Sequence, residues 1–225
     1  AVLRRIEIST GTVLTVANPI LGSGGIATNG TDTVWVAGGN DIQSISTSPP
    51  YTVTTIHTGI AATDAASFRD GAPGTASFAD VRGLTWYGGY LWIVDTAAAV
   101  IRRMDPATGN VTTVAGSPYM APAAGSDGVG AAARFTSPRF IVSDGSGTLY
   151  ISDTNGAAIR AMNAGTFAVT TLAGTPGMAG YVDGVGAAVR VHRPRGITAD
   201  GSSIYFCEFN AHTIRQVITA TGATS

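Results

Sequence analysis

Short apolar runs recur along the chain about every ten residues, and Gly, Asp and Thr separate them. The clearest copy has four of them, "RFIVSDG" (139–145), "TLYISDT" (148–154), "AAIRAMNA" (157–164) and "AVTTLAG" (168–174). Each run has the length of a β-strand and is bounded by turn-forming residues. The pattern therefore predicts four consecutive strands, which we name a, b, c and d.

The same four segments return in other parts of the chain. Residues 82–116 contain all four, and residues 24–59 contain a more divergent set. Residues 195–219 contain a, b and c, whereas residues 2–17 contain only c and d. A repeating four-strand unit predicts the blades of a propeller, because one four-stranded sheet cannot bury both of its faces alone.

The repeat length supports this interpretation, since Asp127 follows Asp70 by 57 residues and Asp183 follows Asp127 by 56. We expect one all-β domain over 1–225, a β-propeller of four-stranded antiparallel blades with about four to five blades in this chain. The expected units are a half-blade at 1–22 and blades at 23–59, 60–116, 117–174 and 175–225.

Seventeen candidate strands do not fill a whole number of four-stranded blades. We therefore expect a propeller that is incomplete or is completed by another chain. An unfilled strand position is an open sheet edge, ready to pair with another strand. One hypothesis is that the half-blade at 1–17 and the three-stranded blade at 195–219 complete each other between subunits.

Composition narrows the possible partners. Only 12 % of residues are charged and the net charge is −1, so no electrostatic case exists for nucleic acid or for an anionic membrane. All 13 basic residues are Arg, which fits a GC-rich genome, an extracellular setting or both, and we expect an extracellular or periplasmic location. No apolar run reaches the roughly 18 residues of a membrane-spanning helix. The chain opens on Ala1 and a strand-like run, so we expect any targeting segment to have been removed or to lie outside the given sequence.

The single cysteine, Cys207, lies in the apolar run "SIYFCEF". An apolar neighbourhood predicts a buried and inert thiol. A single cysteine also excludes a disulfide within the chain.

The segment "ARFTSPRFIVSDGSGTLYISDTNGAAIRAMNAGTFAVTTLAG" (133–174) resembles the NHL-repeat β-propellers. It matches their pattern of Pro before strand a, Asp-Gly after it, "L-Y-[IV]-[SA]-D-T" in b, "I-R" in c and "V-T-T-L-A-G" in d. Residues 70–116 and 183–216 follow the pattern well, and 24–59 follow it loosely. The resemblance implies a propeller, commonly of six blades. Members of the family include protein-binding and RNA-binding modules, extracellular adhesion-type proteins and a few lyases, so it implies little about function.

In this topology the d-to-a and b-to-c connections emerge on one face, which carries the long segments 60–80, 117–137 and 175–193. Ligands usually bind on such loop-rich faces. The candidate binding residues there are Asp70, Asp95, Asp127, Arg134, Asp153, Asp183, Arg190 and Glu208. One interpretation pairs Asp with the Arg seven residues later, Asp127 with Arg134 and Asp183 with Arg190, as a recognition rim. The other makes the same pairs clamps that fold each loop over a blade junction.

Two weaker metal sites are conceivable on this face. The carboxylates at the ends of strands b, those of Asp95, Asp153 and Glu208, could converge on calcium, or each could accept N–H bonds within its own turn. His192 and His212 are zinc candidates, although a catalytic zinc needs a third ligand and His57 belongs to another strand. We expect no cofactor, with calcium as the possible exception.

No nucleophile elbow, phosphate loop or Cys-x-x-Cys motif is present. The sequence therefore favours a non-catalytic binding or assembly scaffold that contacts a protein partner or further copies of itself. Two alternatives stay open: a metal-dependent lyase or hydrolase that uses the loop-rich face, and a ligand-sensing domain of a larger extracellular protein.

Overall fold

The structure is a computed structural model that describes residues 1–17, 19–20, 24–58, 61–120 and 124–225. These residues form five antiparallel sheets that follow one another along the chain, which confirms the all-β prediction. The predicted unit boundaries at 22/23 and 59/60 lie outside the described residues.

The first sheet has only two strands, β1 (Leu3–Ile6) and β2 (Val13–Ala17). The second contains β3 (Ile26–Thr28), β4 (Thr33–Gly38), β5 (Asp41–Ser46) and β6 (Val53–His57). The third contains β7 (Val81–Tyr87), β8 (Tyr90–Asp95), β9 (Val100–Met104) and β10 (Val111–Gly116). In both four-stranded sheets each strand pairs with the next, as predicted for strands a to d.

The last two sheets have five strands each. The fourth sheet contains β11 (Gly128–Val129), β12 (Pro138–Ser143), β13 (Thr148–Asp153), β14 (Ala158–Asn163) and β15 (Ala168–Gly174). The fifth contains β16 (Gly184–Val185), β17 (Pro194–Ala199), β18 (Ser203–Glu208), β19 (Thr213–Ile218) and β20 (Ala223–Thr224). We call these two sheets the interior blade and the terminal blade.

The sequence did not predict β11, β16 or β20. The first two lie in the long loops, where they add an outer strand against β15 and β20 and lead into the short 3-10 turns Gly130–Ala132 and Gly186–Ala188. The terminal blade was expected to lack strand d. The structure gives it a two-residue strand instead, β20, which pairs with Val217 and Ile218.

Consecutive sheets pack through their first strands, and glycine permits the close approach. A Cβ on Gly25 of the second sheet would lie 2.6 Å from the Leu84 nitrogen of the third. A Cβ on Gly83 of the third sheet would lie 2.7 Å from the Arg139 carbonyl oxygen of the fourth. Any side chain at either position would force the blades apart, so these two junctions require glycine, whereas the interior blade has Phe140 at the same repeat position.

Four apolar cores fill the junctions between successive sheets, and the first, between the first and second sheets, contains Ala17 and Ile45. Trp35 of β4 stacks on Trp86 of β7, with ring centroids 4.8 Å apart, at the second junction. The third junction contains Trp92 and Phe135, and the fourth contains Tyr150 and Phe206. Strand b of the second, third and fourth sheets is thus buried between neighbours, because burial of its apolar surface favours stacking of blades.

The prediction that Cys207 is buried is wrong, because its side chain is exposed. Cys207 lies on β18, where residues alternate between the two faces of the terminal blade. Phe206 and Glu208 point towards the interior blade and are buried. Cys207 points away from it, to a face that no sheet of the described structure covers. Its counterpart Ser152 on β13 is fully buried.

Candidate functional site

A buried arginine ties the long loop of the interior blade to its strands. Arg160 on β14 donates from Nη2 to Oδ1 of Asp127 at 2.9 Å and from Nη1 to the carbonyl of Arg134 at 3.0 Å. Its Nη1 also lies 3.7 Å from Oδ2 of Asp153, at the end of β13. Both Arg160 and Asp153 are fully buried. We call this arrangement the arginine clamp.

The same clamp recurs in the third sheet and in the terminal blade. In the third sheet Arg102 on β9 bonds Asp70 at 2.8 Å and lies 3.6 Å from Asp95. In the terminal blade Arg215 on β19 bonds Asp183 at 2.6 Å and lies 3.3 Å from Glu208. Each arginine therefore faces one loop carboxylate and one carboxylate at the end of strand b.

The carboxylates at the ends of strands b also accept backbone N–H bonds. Asp95 accepts from Ala79 and Asp80, and Asp153 accepts from Thr136 and Ser137. Burial raises the pKa of Asp95 and of Asp153, whereas these N–H donors and the nearby arginine act in the opposite direction. A carboxylate so enclosed holds the loop in place and has no exposed oxygen to offer a ligand.

The predicted pairs Asp127–Arg134 and Asp183–Arg190 are not formed. Asp127 pairs with Arg160 and Asp183 with Arg215, while Arg134 and Arg190 turn back on their own loops. The Arg134 side chain donates to the carbonyls of residues 131 and 133, and that of Arg190 to those of residues 187 and 189. The pairing failed because the loop backbone curls into a 3-10 turn, which brings carbonyl oxygens to these guanidiniums.

The metal candidates do not assemble into a site. Among the described residues, no three His, Cys, Asp or Glu side chains lie close enough together to hold a metal ion. Asp95, Asp153 and Glu208 each stay within the clamp of their own blade and do not converge. His192 contacts the Tyr181 hydroxyl through Nδ1, while His212 is an exposed residue that starts the connection into β19.

The terminal clamp has Glu208 in place of an aspartate and also differs from the other two at strand d. Thr113 of β10 donates its hydroxyl to Asp70 at 2.9 Å, and Thr171 of β15 donates to Asp127 at 2.8 Å. In the terminal blade β20 ends before this position. A groove of about 360 Å³ lies there instead, lined by Asp183, Arg215, Thr213 and Ile214 among others. Two clamps are therefore contacted by a threonine of strand d, and among the described residues the third is open at its outer side.

Sequence reasoning missed the arginines at the centre of the clamps, Arg102, Arg160 and Arg215. The signal was present, because the "I-R" pair recurs in three strands c with Arg at one repeat position. A full-length polar side chain at a position that alternation assigns to the blade interior indicates a buried ion pair. The binding role predicted for Asp70, Asp127 and Asp183, whose side chains are 42 %, 51 % and 66 % exposed, stays a prediction.

Comparison with known proteins gives the fold but no family. No family model matches the chain. Protein SUPPRESSOR OF QUENCHING 1, chloroplastic, from Arabidopsis thaliana is 30 % identical over 154 residues, which is 64 % of this chain and 14 % of that protein. The similarity thus concerns one part of a much longer relative.

Solved structures of low sequence identity superpose over nearly the whole chain. An auxiliary nutrient binding protein from Bacteroides thetaiotaomicron aligns with a TM-score of 0.69 and 17 % identity, over 99 % of this chain and 50 % of that one. Virginiamycin B lyase from Staphylococcus aureus aligns with a TM-score of 0.56 and 16 % identity, over 95 % of this chain and 57 % of the lyase. This chain spans half to three fifths of these neighbours.

Within the described ranges, no helix is long and apolar enough to cross a membrane. The successive antiparallel sheets, their stacking through strands a and the solved structures all agree on the architecture. The chain is an all-β protein of the β-propeller type.

Proposed function

We propose that this chain is a non-catalytic NHL-type propeller module that binds protein partners, including copies of itself, through the uncovered side of its terminal blade. The observation that carries the proposal is Ile214. Its side chain is 79 % exposed, whereas Ile159, at the same repeat position of the interior blade, is fully buried by the terminal blade. A position built for burial is thus left in solvent.

Other residues on the uncovered face of the terminal blade are also apolar and at least partly exposed to solvent. A shallow apolar depression on it is lined by Ile197, Tyr205, Cys207 and Ile214. A Cβ on Gly196 would meet only the sulfur of Cys207, at 3.4 Å, although Gly25 and Gly83 at the same repeat position touch the next blade. Exposed apolar surface of this kind marks an interaction site.

The outer edge of the terminal blade offers a second contact. β20 pairs with Val217 and Ile218 of β19, so among the described residues no strand pairs with the outer side of β19 along 213–215. An extended segment can add to such an edge by main-chain hydrogen bonds. Asp183 and Arg215 lie beside this edge, at the place where the interior blade has Thr171. A segment with a hydroxyl at this position fits best.

A second copy of the chain carries such a segment. Thr15 of β2 has the repeat position of Thr113 and Thr171, and β2 belongs to the two-stranded sheet. That sheet also exposes apolar side chains, with Val13 51 % and Leu14 44 % exposed. We propose that β2 of one copy occupies the edge of β19 in another and that Thr15 donates to Asp183. The contact joins unlike surfaces, so it propagates from copy to copy.

The native mass measured by light scattering across a concentration series tests the proposal. We expect the mass to rise above that of one chain with increasing concentration. Ile214→Glu should abolish the rise, because a carboxylate cannot be buried in an apolar contact without a partner. Val129→Glu is the matched control, since Val129 is 60 % exposed on β11, at the rim of the interior blade. It should associate like the wild type.

Labelling of Cys207 with a maleimide reports on the contact itself, and a cooperative thermal unfolding transition of Ile214→Glu shows separately that the variant is folded. Cys207 should react fast in dilute protein and slowly in concentrated wild type, and fast at all concentrations in Ile214→Glu. A single chain at every concentration, with Cys207 equally reactive throughout, would refute self-association. If the mass does rise, but equally in Ile214→Glu, the contact lies elsewhere on the molecule.

Our assignment to the NHL type rests on the sequence motif of residues 133–174 and on the propeller-type neighbours. The extracellular or periplasmic location is a proposal from composition, and cell fractionation with an antibody tests it. No observation on the described residues favours the metal-dependent lyase or hydrolase over the binding module.

A further inference from the structure

Four arginines gather where the innermost strands of the last three sheets begin. Arg82, Arg139 and Arg195 are each the second residue of a first strand, in β7, β12 and β17. These strands adjoin one another in order, since a Cβ on Gly83 would already touch the backbone of Arg139. Arg193 lies just before β17. The group therefore lies at the inner end of the loop-rich face.

Each of the three strands is irregular at its arginine. The pairing register of β7 with β8 shifts between Val81 and Gly83, so Arg82 has no opposite residue. The register shifts in the same way around Arg139 in β12 and around Arg195 in β17. A β-bulge re-aims the side chain of the extra residue and is over-represented next to functional sites. The same bulge in three sheets aims three guanidiniums out of the regular ladder.

The charge of this group is poorly compensated. Asp80 accepts a 2.7 Å bond from Nε of Arg82. In the part of the chain that the structure describes, no carboxylate forms an ion pair with Arg139, Arg193 or Arg195. Burial lowers the pKa of Arg139, and the charges of Arg195, Arg82 and Arg193 lower it further while Asp80 raises it, so each of these groups acts electrostatically on Arg139. Four guanidiniums with one carboxylate leave a local excess of three positive charges.

Three further details concern the segment that carries Arg193 and Arg195. The Nε atoms of Arg193 and Arg195 are buried and have no hydrogen-bond partner among the described residues. Arg193 also has a positive φ of 52°, a left-handed conformation that non-glycine residues rarely adopt. Arg195 is held over the ring of Phe209, 3.5 Å from its centroid. Strained and unsatisfied groups of this kind concentrate at binding sites.

We propose that Arg82, Arg139, Arg193 and Arg195 form a binding site for a compact polyanion, a small molecule that carries a phosphate group or several carboxylates. Guanidiniums form paired hydrogen bonds with both groups, so one site accepts either. The anion neutralises the mutual repulsion of the arginines and satisfies donors that the protein leaves unused. The proposal does not require self-association, because the four arginines lie at the start of the innermost strands and do not include Ile214, which carries the proposed contact.

Calorimetric titration with pyrophosphate and, separately, with citrate tests the proposal. We expect one site per chain for at least one of the two, and a higher Tm in its presence than in sodium chloride of equal ionic strength. Tight binding of pyrophosphate alone identifies phosphate as the recognised group, and tight binding of citrate alone identifies carboxylate. Absence of heat with both, at millimolar concentration, would overturn the proposal.

Arg139→Gln and Arg195→Gln should each weaken binding about 10- to 100-fold, as expected for loss of one charge-assisted contact. Arg4→Gln is the matched control, since Arg4 is an exposed arginine of β1 in a different sheet, and it should bind like the wild type. Without ligand, Arg139→Gln should keep or raise the Tm, because it removes a repelled charge. Unchanged anion binding in both Arg139→Gln and Arg195→Gln would contradict the assignment. Binding of single-stranded RNA without binding of pyrophosphate or citrate would also contradict it.

Discussion

The interior blade and the terminal blade have almost the same sequence motifs, but matching side chains differ in burial. In the interior blade, Ile159 and Ser152 lie under the next sheet and Thr171 closes the clamp of Arg160. In the terminal blade, Ile214 and Cys207 lie in solvent and the clamp of Arg215 stays open at strand d. The difference shows that the repeat specifies the strands of each blade, whereas the neighbour decides which of its side chains are buried.

The largest contrast is expected when the clamps themselves are broken. Arg160→Met leaves the fully buried carboxylate of Asp153 without its cation, which should cost about 3–5 kcal/mol of unfolding free energy. Arg215→Met should cost about half of that, because water reaches Glu208 through the groove beside strand d. Urea unfolding of the two variants measures both values. An equal or larger loss in Arg215→Met would mean that the open clamp is as dry as the closed one.

A second pair of variants addresses the stacking of the blades. Gly83→Ala places a methyl group against the Arg139 carbonyl and should cost about 1–3 kcal/mol, the usual range for overpacking. Gly196→Ala places the same group on the uncovered face, where only Cys207 is near. It should be neutral or stabilise by up to about 1 kcal/mol, because alanine restricts the unfolded chain. Thermal unfolding compares the two, and a loss in Gly196→Ala similar to that in Gly83→Ala would show a covered face.

The smallest expected effect on stability concerns two histidines, His57 at the junction of the second and third sheets and His192 in the terminal blade. His57 is buried at an interior junction, where its Nε2 lies 2.8 Å from the Gly109 carbonyl and its Nδ1 has no partner among the described residues. Burial lowers the pKa of His57 below its usual value. The folded state thus resists protonation that the unfolded state accepts. Stability should be full above about pH 6.5 and should fall as the pH drops from there through the lowered pKa.

Unfolding free energies measured from pH 7.5 down to pH 5 check this sign. In His57→Gln, which keeps a donor for Gly109, the decline attributable to the histidine should disappear. His192→Gln is the matched control in the terminal blade, because His192 is partly exposed, and it should keep the decline. The same pH dependence in wild type and His57→Gln would contradict the assignment.

The strands were predictable because each is a local pattern. "TLYISDT" predicts a strand over 148–154, and the structure has β13 at Thr148–Asp153. The Asp and Arg of the long loops were also recognised as a recurring unit. These features depend on residues that are close in sequence, where alternation and turn residues decide the outcome.

What escaped prediction depends on contacts distant in sequence. Spacing favoured Arg134 as the partner of Asp127, but Arg160 reaches it from 33 residues away. The exposure of Cys207 could not be predicted either, since the alternation of β18 assigns it a face without saying what covers that face. The four arginines proposed to bind an anion belong to three different repeats, and only the stacking of the blades brings them together.

The arginine clamp also bears on how such a chain lengthens in evolution. Asp127, Asp153, Arg160 and Thr171 all come from one repeat, so each repeat neutralises its own buried charge. A tandem duplication of the encoding segment would therefore insert a whole blade without leaving a buried charged side chain unpaired. Loss of a repeat would likewise remove both members of each buried ion pair together. Blade number can thus drift by whole units while the chemistry inside every blade stays balanced.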